Sequence, residues 1–111
     1  VTLSAGAVTD ASALPVTHVP VPGAQVLAGA PTTGLVELTE SIGVWEHTPG
    51  TSTDVEADEV FVVLSGAATV RFVEPSLPAI ELRPGSIVRL DAGMRTQWSV
   101  HATLRKVYIA G

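Results

Sequence analysis

Stiff, β-branched side chains, broken up by Gly and Pro every few residues, leave this chain little to fold into except short extended strands. Val, Ile and Thr make up 33 of its 111 residues. With two heavy atoms on Cβ, these side chains suit a pleated surface better than a helix. Ten Gly and eight Pro punctuate the rest, at intervals that fit tight turns and leave no amphipathic helix of three turns. The length supports one domain around one core. With no cysteine, neither a disulfide framework nor a thiolate zinc site is available. No apolar run approaches the roughly 18–20 residues that span a bilayer, and the N-terminus lacks the basic stretch that opens a signal peptide. The expectation is a cytoplasmic protein without membrane contact. Six Lys and Arg against eleven Asp and Glu give a net charge of −5, which argues against nucleic acid as a partner, because phosphates need a basic face. The charges are segregated: residues 1–70 hold eight acids and no Lys or Arg, and residues 71–111 hold all six bases and three acids.

Pro15, Pro20 and Pro22 keep residues 1–24 extended. This segment is expected as an arm, either partly disordered or pinned along a sheet or a second subunit, with His18 exposed on it. Strands are expected over 25–28, 34–40 and 42–48, the last closed by a Pro49-Gly50 turn. An acidic, solvated loop over 54–58 leads into strands 59–65 and 67–74 on either side of Gly66. Strands over 79–83, 86–90, 95–100 and 104–109 complete an antiparallel sandwich or barrel of eight or nine strands. Alternation assigns the faces. Trp45 shares a face with His47, Glu59 with Phe61 and Val63, Thr96 with Trp98, and Lys106 with Tyr108. Val60, Val62 and Leu64 then point outward, an apolar face that implies a cover by the arm or a homodimer. His101, at a strand-to-turn junction, is expected on the surface.

Two stretches carry a recognisable order of motifs. The first is Gly43-Val-Trp-Glu-His-Thr-Pro-Gly50 followed by Glu59-Val-Phe-Val-Val-Leu-Ser-Gly66; the second is Pro84-Gly-Ser-Ile-Val-Arg-Leu-Asp-Ala-Gly93 followed by Trp98 and Arg105-Lys-Val-Tyr108. Together with the lead-in Gln25-Val-Leu-Ala-Gly-Ala-Pro31, they resemble the cupin superfamily. The likeness is to its small single-domain members, related to the ureidoglycine aminohydrolase cupin domain and to the ethanolamine-utilisation cupin. The resemblance implies an all-β double-stranded β-helix, or jelly-roll barrel, over residues 25–111, with residues 1–24 as its extended arm.

Metal-binding cupins carry G-x5-H-x-H-x3–4-E-x6-G and G-x5-P-x-G-x2-H-x3-N, whose three His and one Glu hold a divalent first-row metal. Here Glu59 takes the place of the motif glutamate ahead of Gly66. The first two His places fall on Ser52 and Asp54, or on Thr53 and Val55, and the third falls on Thr96. What remains of that site is Glu59, with Asp54 and the nearby His47 as further candidate ligands for a weakly held divalent metal.

The same faces outline a pocket. Its candidate walls are Trp45, His47, Glu59, Phe61 and Met94 from the first part of the barrel, and Thr96, Trp98, Lys106 and Tyr108 from the last strands. Apolar walls with a few converging polar groups are the usual form of a small-molecule site. The reading is a cupin that binds a small polar or carboxylated metabolite without the three-His metal site. Two alternatives stand beside it. One is a metal-dependent hydrolase or isomerase resembling ureidoglycine aminohydrolase, with Lys106 or Tyr108 as acid/base; the other is a non-catalytic structural or sensory module with a filled barrel. Lys106 beside Glu59 would offset the burial of that carboxylate in any of the three.

Overall fold

The structure, a computed structural model, describes residues 2–111, so that Val1 of the arm lies outside it. Nine strands account for most of the described chain: β1 (Val19–Pro20), β2 (Val26–Ala28), β3 (Thr32–Glu37), β4 (Ile42–His47), β5 (Gly50–Val55), β6 (Glu59–Glu74), β7 (Leu77–Leu82), β8 (Ile87–Leu90) and β9 (Arg95–Ala110). The one helical segment among the described residues is a single 3-10 turn at Gly23–Gln25.

β6 and β9 are each 16 residues long, whereas the sequence pattern divides each of them into two strands. They run antiparallel beside one another along their whole length, from Glu59 opposite Ala110 to Glu74 opposite Arg95. Gly66 bends the first strand without ending it. Its φ is +94°, and a Cβ there would overlap the Thr103 carbonyl and the Leu104 Cα. The register slips at several steps between Val63 and Ala68, the bulged geometry that turns a strand pair from one direction to another. Local sequence shows a glycine and cannot distinguish a bend from an end; only the partner strand does.

The bent pair belongs to two layers at once. In the first, Leu104–Ile109 of β9 pairs with β4, which continues to β3 and β1, while Glu59–Val62 of β6 pairs with β8. In the second, Arg95–Val100 of β9 pairs with β5, which continues to β2, while Ala68–Phe72 of β6 pairs with β7. This is the jelly roll that the motifs imply. The core lies between the layers and draws on both: Phe61, Val63 and Leu104 from one, Val70, Trp98 and Val100 from the other, with Leu82 and Leu90 closing it. The expected inward faces of Phe61, Val63, Thr96 and Trp98 are all buried. Val60, Val62 and Leu64, on the other face, are half-buried.

The arm is pinned along the outer face of β3, β4 and β9. β1 pairs with the start of β3. The Arg105 guanidinium donates through Nη1 to the Ala11 and Leu14 carbonyls at 2.7 and 2.8 Å, and through Nε to Glu46 Oε2 at 2.8 Å. His18 is a correction to the exposed position expected of it. It is half-buried, with Nε2 2.7 Å from Glu46 Oε1 and Nδ1 2.9 Å from Thr32 Oγ1. Burial pushes the Glu46 carboxyl up, but the hydrogen bonds from His18 and Arg105, together with the Arg105 charge, outweigh it and hold it below its usual value. Val44, which points to this outer face, is fully buried. His101 is exposed as expected, with Nε2 3.0 Å from Thr69 Oγ1.

Gly66→Ala tests the bend. A methyl group forced against the Thr103 carbonyl at positive φ is expected to lower stability by about 2 kcal/mol or more. Urea unfolding should show this as a lower midpoint with an unchanged slope.

Candidate functional site

Register and alternation bring the inward side chains of four strands together. Trp45 of β4 stands directly opposite Lys106 of β9, and Gly43 opposite Tyr108. On the other flank of β9, Phe61 of β6 faces Tyr108. In the second layer, Ser52 and Asp54 of β5 lie opposite Trp98 and Thr96. The result is a cavity of about 250 Å³ lined by Trp45, Trp98, Glu59, Lys106 and Tyr108, with Leu35, Asp54 and Glu56 completing the wall. Tyr108 can lie flat against β4 because position 43 is glycine; a Cβ there would overlap its ring.

Lys106 is the centre of this arrangement. Only 5% exposed, it places Nζ 2.8 Å from Glu59 Oε2. The same nitrogen lies 4.2 Å from the Phe61 ring centroid, 4.6 Å from that of Trp45 and 4.8 Å from that of Trp98. Taking an ammonium out of water costs several kcal/mol. A paired carboxylate and three ring quadrupoles offset that cost. Trp45 and Trp98 meet edge-on at 5.5 Å and 61°, and Phe61 lies 5.7 Å from Trp98, so the rings that surround the ammonium also hold one another.

Glu56 is the residue that the sequence pattern misses. It falls in the stretch expected to be a solvated acidic loop, yet it is only 7% exposed. Its backbone N–H donates to the Met94 carbonyl, and its carbonyl accepts from the Gly93 N–H, each at 2.8 Å. This locks the loop to the β8–β9 turn and rotates the carboxylate inward. Oε2 accepts from the Thr96 hydroxyl at 2.5 Å and from the Trp98 indole N–H at 3.0 Å. Oε1 has no hydrogen-bond partner among the described residues, and Glu56 lines the cavity. The signal was present at a distance: an inward threonine hydroxyl and an inward indole N–H both require an acceptor.

The remaining predicted residues take supporting places. Phe61 and Thr96 are buried, at 0% and 1% exposure, the first beneath Lys106 and the second behind Glu56. Met94 does not line the cavity; it sits in the turn, where its sulfur lies 3.5 Å from the Asp91 N–H. His47 is buried beside Trp45, the ring centroids 5.5 Å apart. Burial holds its pKa below the usual value, and the nearby His18 adds to this, against the pull of the hydrogen bond to Thr48. Neutral His47 carries its proton on Nδ1, which donates to the Thr48 carbonyl at 2.6 Å, leaving Nε2 to accept from the Ser52 hydroxyl at 2.8 Å. Asp54 stands exposed at the rim. Its carboxyl is pushed up to about 6 by the protein packed around it and next by the Glu56 charge, against the Val55 N–H and Lys106. Tyr108 is raised by burial and by the Glu37 and Glu59 charges, so it stays a phenol at neutral pH.

A resident metal does not fit these residues. The His47 Nε2 lone pair is engaged by Ser52, and a Glu59 oxygen by Lys106. Among the described residues, no three His, Asp or Glu side chains gather as a metal requires.

A family description of the EutQ-like cupin domain matches residues 37–108. No curated protein matches the chain. Among solved structures, it is similar to the EutQ protein of Clostridium difficile, with 17% identity and a TM-score of 0.63 over 72% of this chain and 68% of that one. A DUF861-family protein of unknown function from Pseudomonas syringae pv. tomato is 22% identical with a TM-score of 0.75, over 92% of this chain but 46% of that one. A DUF1255 protein of unknown function from Acidithiobacillus ferrooxidans is 19% identical with a TM-score of 0.63, over 94% and 100%. At these identities the structural likenesses show the fold alone. The motif order, the bent β6–β9 pair and the match over residues 37–108 agree: the chain belongs to the EutQ-like cupin domain family.

Proposed function

We propose that this cupin domain binds a small polar molecule in the cavity between Trp45, Trp98 and Lys106. One observation carries the reading. Two polar side chains, each more than nine-tenths buried, present unused hydrogen-bonding capacity to the same space. Glu56 offers Oε1, and the Lys106 ammonium makes one hydrogen bond of its possible three. A purely structural ion pair has no use for a cavity, and a barrel serving only as a scaffold is expected to be filled. The roughly 250 Å³ found here is far more than a single water needs. Nothing in the geometry adds to the hydrolase or isomerase reading: the residues do not assemble a metal site, and Tyr108 as a phenol is a donor rather than a base.

Trp45 and Trp98 are the only two tryptophans and both line the cavity, so intrinsic fluorescence reports occupancy directly. In a screen of small polar metabolites, at least one compound should shift or quench the emission saturably, and Lys106→Met, which changes the charge of the cavity wall, should shift the midpoint of that response. A screen without a saturable response, or hits whose midpoint is unmoved by Lys106→Met in a variant of native circular dichroism, would remove the cavity as a binding site.

The electrostatics can be checked without any ligand. A carbon-detected NMR titration should place the Asp54 midpoint near 6, and Glu56→Gln should lower it by removing the neighbouring negative charge. Because this value lies above the ordinary 3.8, the native state holds the Asp54 proton more tightly than the unfolded chain does. The stability Asp54 contributes is therefore present at acid pH and is lost as pH rises through about 6.

A further inference from the structure

We propose that the molecule bound in this cavity is a cation, a small compound bearing an aliphatic amine or ammonium group that donates to Glu56 Oε1. The inference rests on the cavity being a binding site and names the class of ligand it takes.

The charge inventory of the wall carries it. The carboxylates of Asp54, Glu56 and Glu59 line the cavity, and Lys106 is the only basic side chain that does. Its charge is committed to Glu59 at 2.8 Å. Neither Asp54 nor Glu56 makes a salt bridge among the described residues. Asp54 stands exposed at the rim. Glu56 is only 7% exposed, and it lines the cavity. The two groups that satisfy this carboxylate, the Thr96 hydroxyl and the Trp98 indole, are neutral and share one oxygen. A buried carboxylate is ordinarily paired with a cation, and Glu56 lines a cavity large enough to admit one.

The chemistry selects among cations. A primary ammonium has three N–H donors and meets Glu56 Oε1 by a charge-assisted hydrogen bond, with Asp54 available at the mouth for a second polar group. Leu35 and the Trp45 ring give a short carbon chain an apolar wall. A divalent metal lacks a gathered ligand set. A carboxylated ligand, one of the two classes that the sequence leaves open, would enter a space holding three carboxylates and one committed ammonium, and like charges in a low-dielectric site repel strongly. Lys106 also occupies the ring faces that an aromatic cage would offer a ligand cation, so recognition falls to the carboxylate.

The test uses the full chain and three probes that share one carbon skeleton and differ in charge: 1-aminobutane, butan-1-ol and butyrate. Binding is read by tryptophan fluorescence and by the NMR shift of the Trp98 indole N–H at constant ionic strength. The amine should bind at least about tenfold more tightly than the alcohol, and butyrate should not bind. Glu56→Gln, which keeps the shape and both neutral hydrogen-bonding groups, should remove the amine's advantage over the alcohol while leaving the circular dichroism unchanged. Butanol or butyrate matching the amine, or an amine preference that survives Glu56→Gln, would overturn the assignment of charge while leaving the cavity as a binding site. Saturable binding of Mn²⁺ or Mg²⁺ that displaces the amine would overturn it in favour of a metal. Silence from all three probes, alongside hits of another class in the wider screen, would overturn the cation alone; silence from every compound would remove the site and the cation together.

Discussion

The side-by-side run of β6 and β9 is the constraint on which everything else in this molecule hangs. Each strand gives its first half to one layer and its second half to the other, and β4, β5, β7 and β8 all attach to this pair. Layer separation, the direction of each inward face and the position of the cavity all follow from how sharply the pair turns near Gly66 and Thr103. Nearly every residue that lines the site either sits on this pair or hydrogen-bonds across from it. Glu59 and Lys106, which meet through their side chains, are carried on its two members.

The interior shows how a barrel built around polar residues holds together without a central ion. Burying an ionised group is expensive unless something of opposite sign accompanies it. Lys106 and Glu59 accompany one another, and the aromatic rings add what their quadrupoles can. His47 takes the other course. Buried and neutral, it spends both nitrogens on Thr48 and Ser52. Glu56 stands apart from both solutions, with neutral donors on one side and open space on the other. That asymmetry, rather than the size of the cavity, gives the site its chemical character.

Much of this was legible in the chain. Alternation pairs Phe61 with Val63, Thr96 with Trp98, and Lys106 with Tyr108 on shared faces, and the likeness to the cupin motifs tells which face is inward. The resemblance of Glu59–Gly66 to the cupin motif implies an inward place for the carboxylate that Lys106 meets. What stayed hidden depends on partners remote in sequence. The burial of Glu56 is decided by hydroxyl and indole donors 40 and 42 residues away, and in isolation it reads as one more acid in an acidic loop. Gly66 reads as a break because a glycine's φ is invisible until its neighbour strand is known. His18 reads as exposed because its environment is built from Glu46 and Thr32, on strands that the arm meets only after folding. The charges are segregated along the chain, and a jelly roll interleaves early and late strands, so folding places early acids beside late bases, Glu46 with Arg105 and Glu59 with Lys106.

The clamp on the arm has a consequence for how the molecule is made. Arg105 reaches the carbonyl of Ala11 across 94 residues and that of Leu14 across 91. The arm leaves the ribosome well before its anchor does. Until β9 is released, β4 and β5 lack their central neighbour and the arm has nothing to hold it. Docking of the arm therefore waits for β9, since contacts this remote in sequence require the intervening loop to be closed first. An early segment thus becomes a seal on a late one, and a nascent chain carries an unanchored arm until β9 is in place.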